Sequence, residues 1–280
     1  MYPFSIGVIL DSFRVPIPEA IKKAHAVGAQ GLQVYATYGE MAPENMTQEK
    51  KTDFLRMCRD NDLVISALCG DLGKGFTDPQ LNPELIERSK RIVDLAKELG
   101  TDIVTTHIGT VPEDASCDTY KIMQAACHEL AEYADSMQAH FAVETGPEPA
   151  ARLKAFLDTL GSTGVAVNLD PANLTMCVQD DAVQAVYTLK DYIVHTHAKD
   201  GISLAGDLSA LNSEAAIQAA AGERWLELPL GKGGVDWPNY LKALNEIGFK
   251  GFLTIEREVG EDPEADIRMA ADFLRAHIGK

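Results

Sequence analysis

The stretch Ile193-Val194-His195-Thr196-His197-Ala198-Lys199-Asp200 opens as a β-branched, apolar run and closes in ionisable residues. A buried strand that runs out into chemistry at its C-terminal end has this composition. Three other runs end the same way. Phe141-Ala142-Val143 leads into Glu144-Thr145-Gly146, Val165-Ala166-Val167-Asn168-Leu169 into Asp170, and Phe252-Leu253-Thr254-Ile255 into Glu256-Arg257-Glu258. Each delivers one residue suited to a divalent cation: Glu144, Asp170, His197 and Glu256. Four strand ends that converge in space would set three carboxylates and an imidazole around one ion.

Working outward, a strand-then-helix pattern recurs eight times. Strands are expected at Ser5–Leu10, Gly31–Tyr35, Leu63–Leu68 and Asp102–Thr106, then at the four runs above. The helices between them carry ordinary start and stop signals. Pro18 falls in a first turn, Asn82 reads as a cap with Pro83 behind it, and Gly28, Gly100 and Gly161 close helices. The strands are apolar on both faces, as parallel strands covered by helices must be. Alternating units of this kind predict a parallel sheet, and eight of them in 280 residues predict a single (β/α)8 TIM barrel over residues 1–280. The competing open sheet requires a glycine-rich phosphate loop after the first strand, where this chain has Asp11-Ser12-Phe13-Arg14. One connection is long, from Asp200 to Trp237, and holds an expected short helix near Ser213–Ala221 and the run Gly231-Lys232-Gly233-Gly234. Long loops of this kind often serve as lids.

Composition narrows the partners. With 42 acidic against 25 basic residues the formal net charge is −17, which disfavours nucleic acid and anionic membrane. No apolar run approaches the ~20 residues of a membrane span. The five cysteines form no Cys-x-x-Cys pair, so structural zinc and a disulfide framework are not expected. Met1-Tyr2-Pro3-Phe4 carries no secretory signal. The expected location is the cytoplasm, and a homo-oligomer is compatible with all of this.

In barrel enzymes the active site lies at the C-terminal ends of the strands, where Glu144, Asp170, His197 and Glu256 fall. Their mostly oxygen donor set suits Mn²⁺ first, with Mg²⁺, Co²⁺ or Zn²⁺ also accepted. Each residue alone reads equally well as a rim carboxylate or a satisfied histidine; the four at matched positions weaken that reading. Around them, His107 ends the fourth strand, and His195 shares a strand face with His197. Lys199 and Arg257 suit hydroxyls or a phosphate, and each reads equally well as a rim salt bridge. Trp225 and Trp237 read as packing residues before a sugar platform.

These motifs resemble those of the xylose isomerase-like barrel superfamily of sugar isomerases and epimerases, over the whole chain. The most specific are Glu144-Thr145-Gly146, Asn168-Leu169-Asp170-Pro171-Ala172-Asn173, His195-x-His197-x-Lys199-Asp200, Gly231-x-Gly233-x-Val235-Asp236-Trp237 and Thr254-Ile255-Glu256-Arg257-Glu258. The resemblance implies one divalent metal held by Glu144, Asp170, His197 and Glu256, and a small-molecule sugar substrate. It also implies an isomerase or epimerase in which Glu144 and Glu256 exchange a substrate proton through a metal-stabilised enediolate. Where ketose 3-epimerases carry a substrate-contacting histidine, this chain has Asn173, a departure that leaves the metal set intact. The substrate contacts expected are therefore His107, Asn173, His195, Lys199 and Arg257. A lyase or dehydratase on a keto-sugar, keto-glycoside or keto-inositol needs the same ion and the same first proton transfer. An abasic-site endonuclease of related fold would need a basic groove, which the charge opposes. A catalytically silent barrel would hold no metal.

Overall fold

The computed structural model describes residues 1–205 and 223–279. Eight parallel strands close into a barrel: β1 (Ser5–Ile9), β2 (Gly31–Tyr35), β3 (Val64–Cys69), β4 (Ile103–Thr106), β5 (His140–Glu144), β6 (Val165–Leu169), β7 (Ile193–Ala198) and β10 (Phe252–Ile255). β10 returns to pair with β1 from Ser5↔Phe252 to Val8↔Ile255 and so closes the ring. Around it lie α1 (Ile17–Ala26), α2 (Gln48–Asp60), α3 (Asn82–Glu98), α4 (Asp118–Met137), α5 (Ala150–Asp158), α6 (Ala182–Thr188), α7 (Trp237–Glu246) and α8 (Pro263–Ile278). The chain is a single (β/α)8 TIM barrel.

The strand residues follow from their double burial. All five residues of β6 are buried, since its inner face meets the barrel interior and its outer face meets helices. Local caps set where the helices begin. Thr47, Asp181 and Asp262 accept from backbone N–H groups of the first turns of α2, α6 and α8. Asn82 departs from its expected role. It lies inside the first turn of α3 and donates to the Phe76 carbonyl at 3.0 Å, tying the helix to the preceding loop.

The described ends of the Asp200–Trp237 connection form two strands that the sequence does not signal. β8 (Asp200–Ser203) and β9 (Trp225–Leu228) pair antiparallel, with Asp200 opposite Leu228 and Ser203 opposite Trp225. The helix expected near Ser213–Ala221 lies outside the described residues. Among the described residues, no helix is long and apolar enough to cross a membrane.

Candidate metal centre and active site

The barrel geometry gathers the four strand-end residues. Glu144 is the last residue of β5, Asp170 and Glu256 directly follow β6 and β10, and His197 lies near the end of β7. Ligand atoms of all four lie within 4.8 Å of one another, and all four residues are buried. His197 Nδ1 is the hub, 3.1 Å from Glu256 Oε2 and 3.5 Å from both Glu144 Oε2 and Asp170 Oδ2.

The local sequence explains each placement. Asp170 caps the helical turn Pro171–Asn173: its Oδ1 accepts from the Asn173 N–H at 2.8 Å, which leaves Oδ2 facing the cluster. That turn continues into a π-helical turn over Leu174–Val178, a form common at functional sites. Thr145 locks β5 to β6, accepting from the Asp170 N–H and donating to the Asp170 carbonyl. Gly146, with φ +143, lets Asn173 pack close; a Cβ there would lie 2.5 Å from Asn173 Cβ. Asn173 Nδ2 then reaches Glu144 Oε1 at 2.8 Å.

Asp170 Oδ2 and His197 Nδ1 are buried without a hydrogen-bond partner, and Glu256 Oε2 meets only the Lys199 ammonium at 3.2 Å and the His197 ring. A desolvated acceptor without a partner costs about 1–3 kcal/mol, so two of them beside the Glu256 carboxylate fit a bound cation. With protein groups alone, burial lowers the His197 pKa but Glu256 and Glu144 outweigh it and hold the ring well above its usual range. Burial raises the Asp170 carboxyl. Burial also acts to raise Glu144 and Glu256, but His197 for the first and Lys199 for the second reverse the sign and hold both low.

Above the cluster opens a cavity of about 580 Å³, lined by His107, Glu144, Asn173, His197, Lys199 and Glu256 among others. His107 faces it from the end of β4. Its Nδ1 bonds Asp71 Oδ2 at 3.0 Å, and its Nε2 lies 3.7 Å from Glu144 Oε1. Burial opposes its charge, but Glu144 and Asp71 lift its pKa to about 9. Lys199 Nζ sits 3.2 Å from Glu256 Oε2 and also pairs with Glu258.

Two expected substrate contacts turn elsewhere. His195 is almost wholly buried below the cluster, is not part of the cavity lining, and bonds Gln33 and Thr254. Burial and the neighbouring His197 push its pKa down to about 3, which keeps it neutral. Arg257 points away from the cavity into a buried pair with Glu227 and Asp266, joining β9 and α8 to the end of β10. The tryptophans separate. Trp237 is buried and donates through Nε1 to Asp200, whereas Trp225 is 43% exposed at the cavity rim beside Arg224.

Sequence reasoning missed Gln33 and Asn168, both buried beside His197. Their one signal is a carboxamide inside an otherwise apolar strand. It also missed Asp200 as a structural centre. The Asp200 carboxylate accepts from the N–H groups of Gly201, Gly231 and Val235 and from Trp237 Nε1. Gly233 packs so closely that a Cβ would meet Asp200 Oδ1 at 2.2 Å, so Gly231 and Gly233 serve this carboxylate.

A closed parallel barrel carrying buried ionisable residues at its strand ends defines an enzyme-like class. The family model for the xylose isomerase-like TIM barrel matches residues 21–277, and the chain belongs to that family. No curated protein sequence matches it significantly. Among solved structures, the chain is similar to a xylose isomerase domain protein from Planctomyces limnophilus, with TM-score 0.79, 24% identity and coverage of 99% of this chain and 98% of that one. It is similar to the probable 3-DHS dehydratase AsbF from Bacillus anthracis, with TM-score 0.76, 17% identity and coverage of 97% and 98%. A third is the 3-keto-D-glucoside 4-epimerase YcjR from E. coli, with TM-score 0.72, 15% identity and coverage of 98% and 99%. At these identities the likeness is one of fold.

Proposed function

We propose that this protein is a divalent-metal-dependent isomerase or epimerase of a ketose or keto-sugar derivative. The observation that carries the reading is the buried, partnerless pair of atoms on Asp170 and His197, facing the carboxylates of Glu144 and Glu256 at the floor of an open cavity. Glu144, Asp170, His197 and Glu256 are the ligands, and Mn²⁺ suits their mostly oxygen set. The chemistry the ion supplies when bound is Lewis acidity toward a substrate carbonyl and its neighbouring hydroxyl.

The remaining work belongs to side chains. Glu144 and Glu256 reach the cavity from β5 and the end of β10, with β6 and β7 between them on the barrel wall. One removes the proton next to the carbonyl and the other returns a proton to the opposite face, inverting the centre. Asn173 steadies one oxygen of Glu144, and the Lys199 ammonium keeps Glu256 in its basic, ionised form. Lys199 also lines the cavity, so its ammonium can offset negative charge that a carbonyl oxygen gains there. Five cysteines without disulfides fit action in the reducing cytoplasm.

A dehydratase or lyase is the second reading, and the His107–Asp71 pair favours it. A protonated imidazole facing the cavity can give its Nε2 proton to a departing hydroxyl, a step that epimerisation does not need. The test is metal analysis followed by incubation in D₂O with ketoses, keto-glycosides and inososes. Epimerisation or isomerisation leaves solvent deuterium in a product isomeric with the substrate; elimination gives a conjugated carbonyl absorbance. Protein that retains metal after both Asp170→Ala and His197→Ala would sink the ligand assignment.

A further inference from the structure

Beneath the ligand cluster the barrel interior is polar. Gln33 on β2, Thr105 on β4, His195 and His197 on β7 and Thr254 on β10 are all buried there. Buried polar groups of this kind are hydrogen-bonded, and their donors and acceptors can be counted one by one.

The count begins at a fixed acceptor, the main-chain carbonyl of Leu68, to which the Thr105 hydroxyl donates at 3.4 Å. With its proton committed, Thr105 Oγ1 can only accept from its other neighbour, Gln33 Nε2, at 3.1 Å. The Gln33 amide is thereby oriented, and its oxygen faces the two imidazoles. Oε1 lies 3.1 Å from His195 Nε2 and 3.1 Å from His197 Nε2. An amide oxygen has two lone pairs and no proton, so each ring nitrogen must donate to it. His195 is steadied further by Thr254 Oγ1 at 2.9 Å. In the neutral ring that a cation requires, an N–H on His197 Nε2 leaves Nδ1 as a bare lone pair. Nδ1 is the ring atom that faces Glu144, Asp170 and Glu256 and has no hydrogen-bond partner.

Asn168 fits the same assignment. Its Nδ2 stands 3.1 Å from His197 Nε2, and its Oδ1 is buried without a partner. Turning the carboxamide over gives Oδ1 a share of the Nε2 proton, in exchange for the 3.4 Å contact that Nδ2 makes with Glu144 Oε2. The opposite tautomer requires the chain behind Gln33 to reverse: Gln33 would present its NH₂ group to both rings, Thr105 would donate to Gln33, and the Leu68 carbonyl would lose the Thr105 hydroxyl.

We propose that Gln33, held by Thr105 and the Leu68 carbonyl, is a positioning residue that fixes the tautomer of His197 and so presents Nδ1 to a divalent cation. The inference rests on the metal-site reading above. Partners of this kind behind a ligating histidine are worth roughly 10–100-fold in metal affinity.

The test uses the whole protein and Mg²⁺, which is diamagnetic. In ¹⁵N-histidine-labelled protein loaded with Mg²⁺, with resonances assigned through the His197→Asn variant, His197 should be protonated at Nε2 and not at Nδ1. In titrations with Mg²⁺, Gln33→Leu should weaken binding about 10–100-fold, whereas Gln33→Glu, which keeps the acceptor, should stay within a few-fold of wild type. A proton on Nδ1 in the loaded wild type overturns the inference without any variant. So does Gln33→Leu protein that binds Mg²⁺ as tightly as wild type, or Gln33→Glu protein as weak as Gln33→Leu. A wild-type chain that takes up neither Mg²⁺ nor Mn²⁺ sinks the metal-site reading itself, which separates the two failures.

Discussion

Asn173 Nδ2 donates to Glu144 Oε1 across 2.8 Å, so the residue standing three positions after Asp170 holds a carboxylate of the chain itself. The contact favours the ionised form of Glu144, the form a base needs. Asn173→Ala should move the acid limb of the kcat profile to higher pH and lower kcat by about 10–100-fold, the worth of a hydrogen bond to a charged group. Gly146→Ala should act in the same direction by displacing Asn173. An unshifted acid limb in both variants would confine Asn173 to substrate contact.

Glutamine at either Glu144 or Glu256 keeps size and one oxygen ligand but removes the base. Each change should slow solvent exchange of the substrate α-proton by about 10²–10⁴-fold, while some metal remains bound through the other three residues. Exchange at the native rate in both metal-loaded variants would rule out the two-carboxylate mechanism and direct attention to His107 or Lys199.

Arg257 should govern stability and not substrate affinity. Removing one member of a buried ion pair strands its partners, at a cost of about 3–5 kcal/mol. Arg257→Met leaves Glu227 and Asp266 in that position. The denaturant midpoint should fall clearly while KM stays near wild type. A raised KM with unchanged stability would return Arg257 to the substrate.

Glu148 is buried with Oε2 accepting from the Val111 N–H and Oε1 unpartnered. Burial raises its pKa to about 7, against small opposing effects of the Val111 N–H, Arg152 and His107. The folded state therefore holds this proton more tightly than the unfolded chain does. Stability from this group is fully present below the ordinary glutamate range and is lost as pH rises through about 7. Glu148→Gln should remove that slope, so the variant gains on wild type between pH 4 and pH 8, by at most about 3 kcal/mol. Parallel stability curves for the two proteins over that interval would contradict the burial argument.

The barrel and its four converging strand ends were legible because doubly buried parallel strands are continuous apolar runs that stop abruptly. A carboxylate or imidazole at such a stop stands out. What lay hidden depends on side-chain direction and on contacts distant in sequence. Arg257 directly follows Glu256 and reads like a site residue, yet it turns to Glu227 and Asp266. Gln33 looks like an interruption of an apolar strand until its distance to His197, 164 residues away, is known. β8 and β9 are four residues each and stand far apart in sequence, Ser203 facing Trp225, so neither carries a local hairpin signal.

Asp200 gives the molecule a joint. Its carboxylate clasps Gly201 on one side and Gly231, 31 residues further on, on the other. The excursion between these points is closed at its base by hydrogen bonds that belong to the barrel end. The β8–β9 stem that rises from this clasp carries Arg224 and Trp225 to the cavity rim. A change at Asp200 would therefore unseat the rim and the glycine run together, one residue from the Lys199 that stands against Glu256.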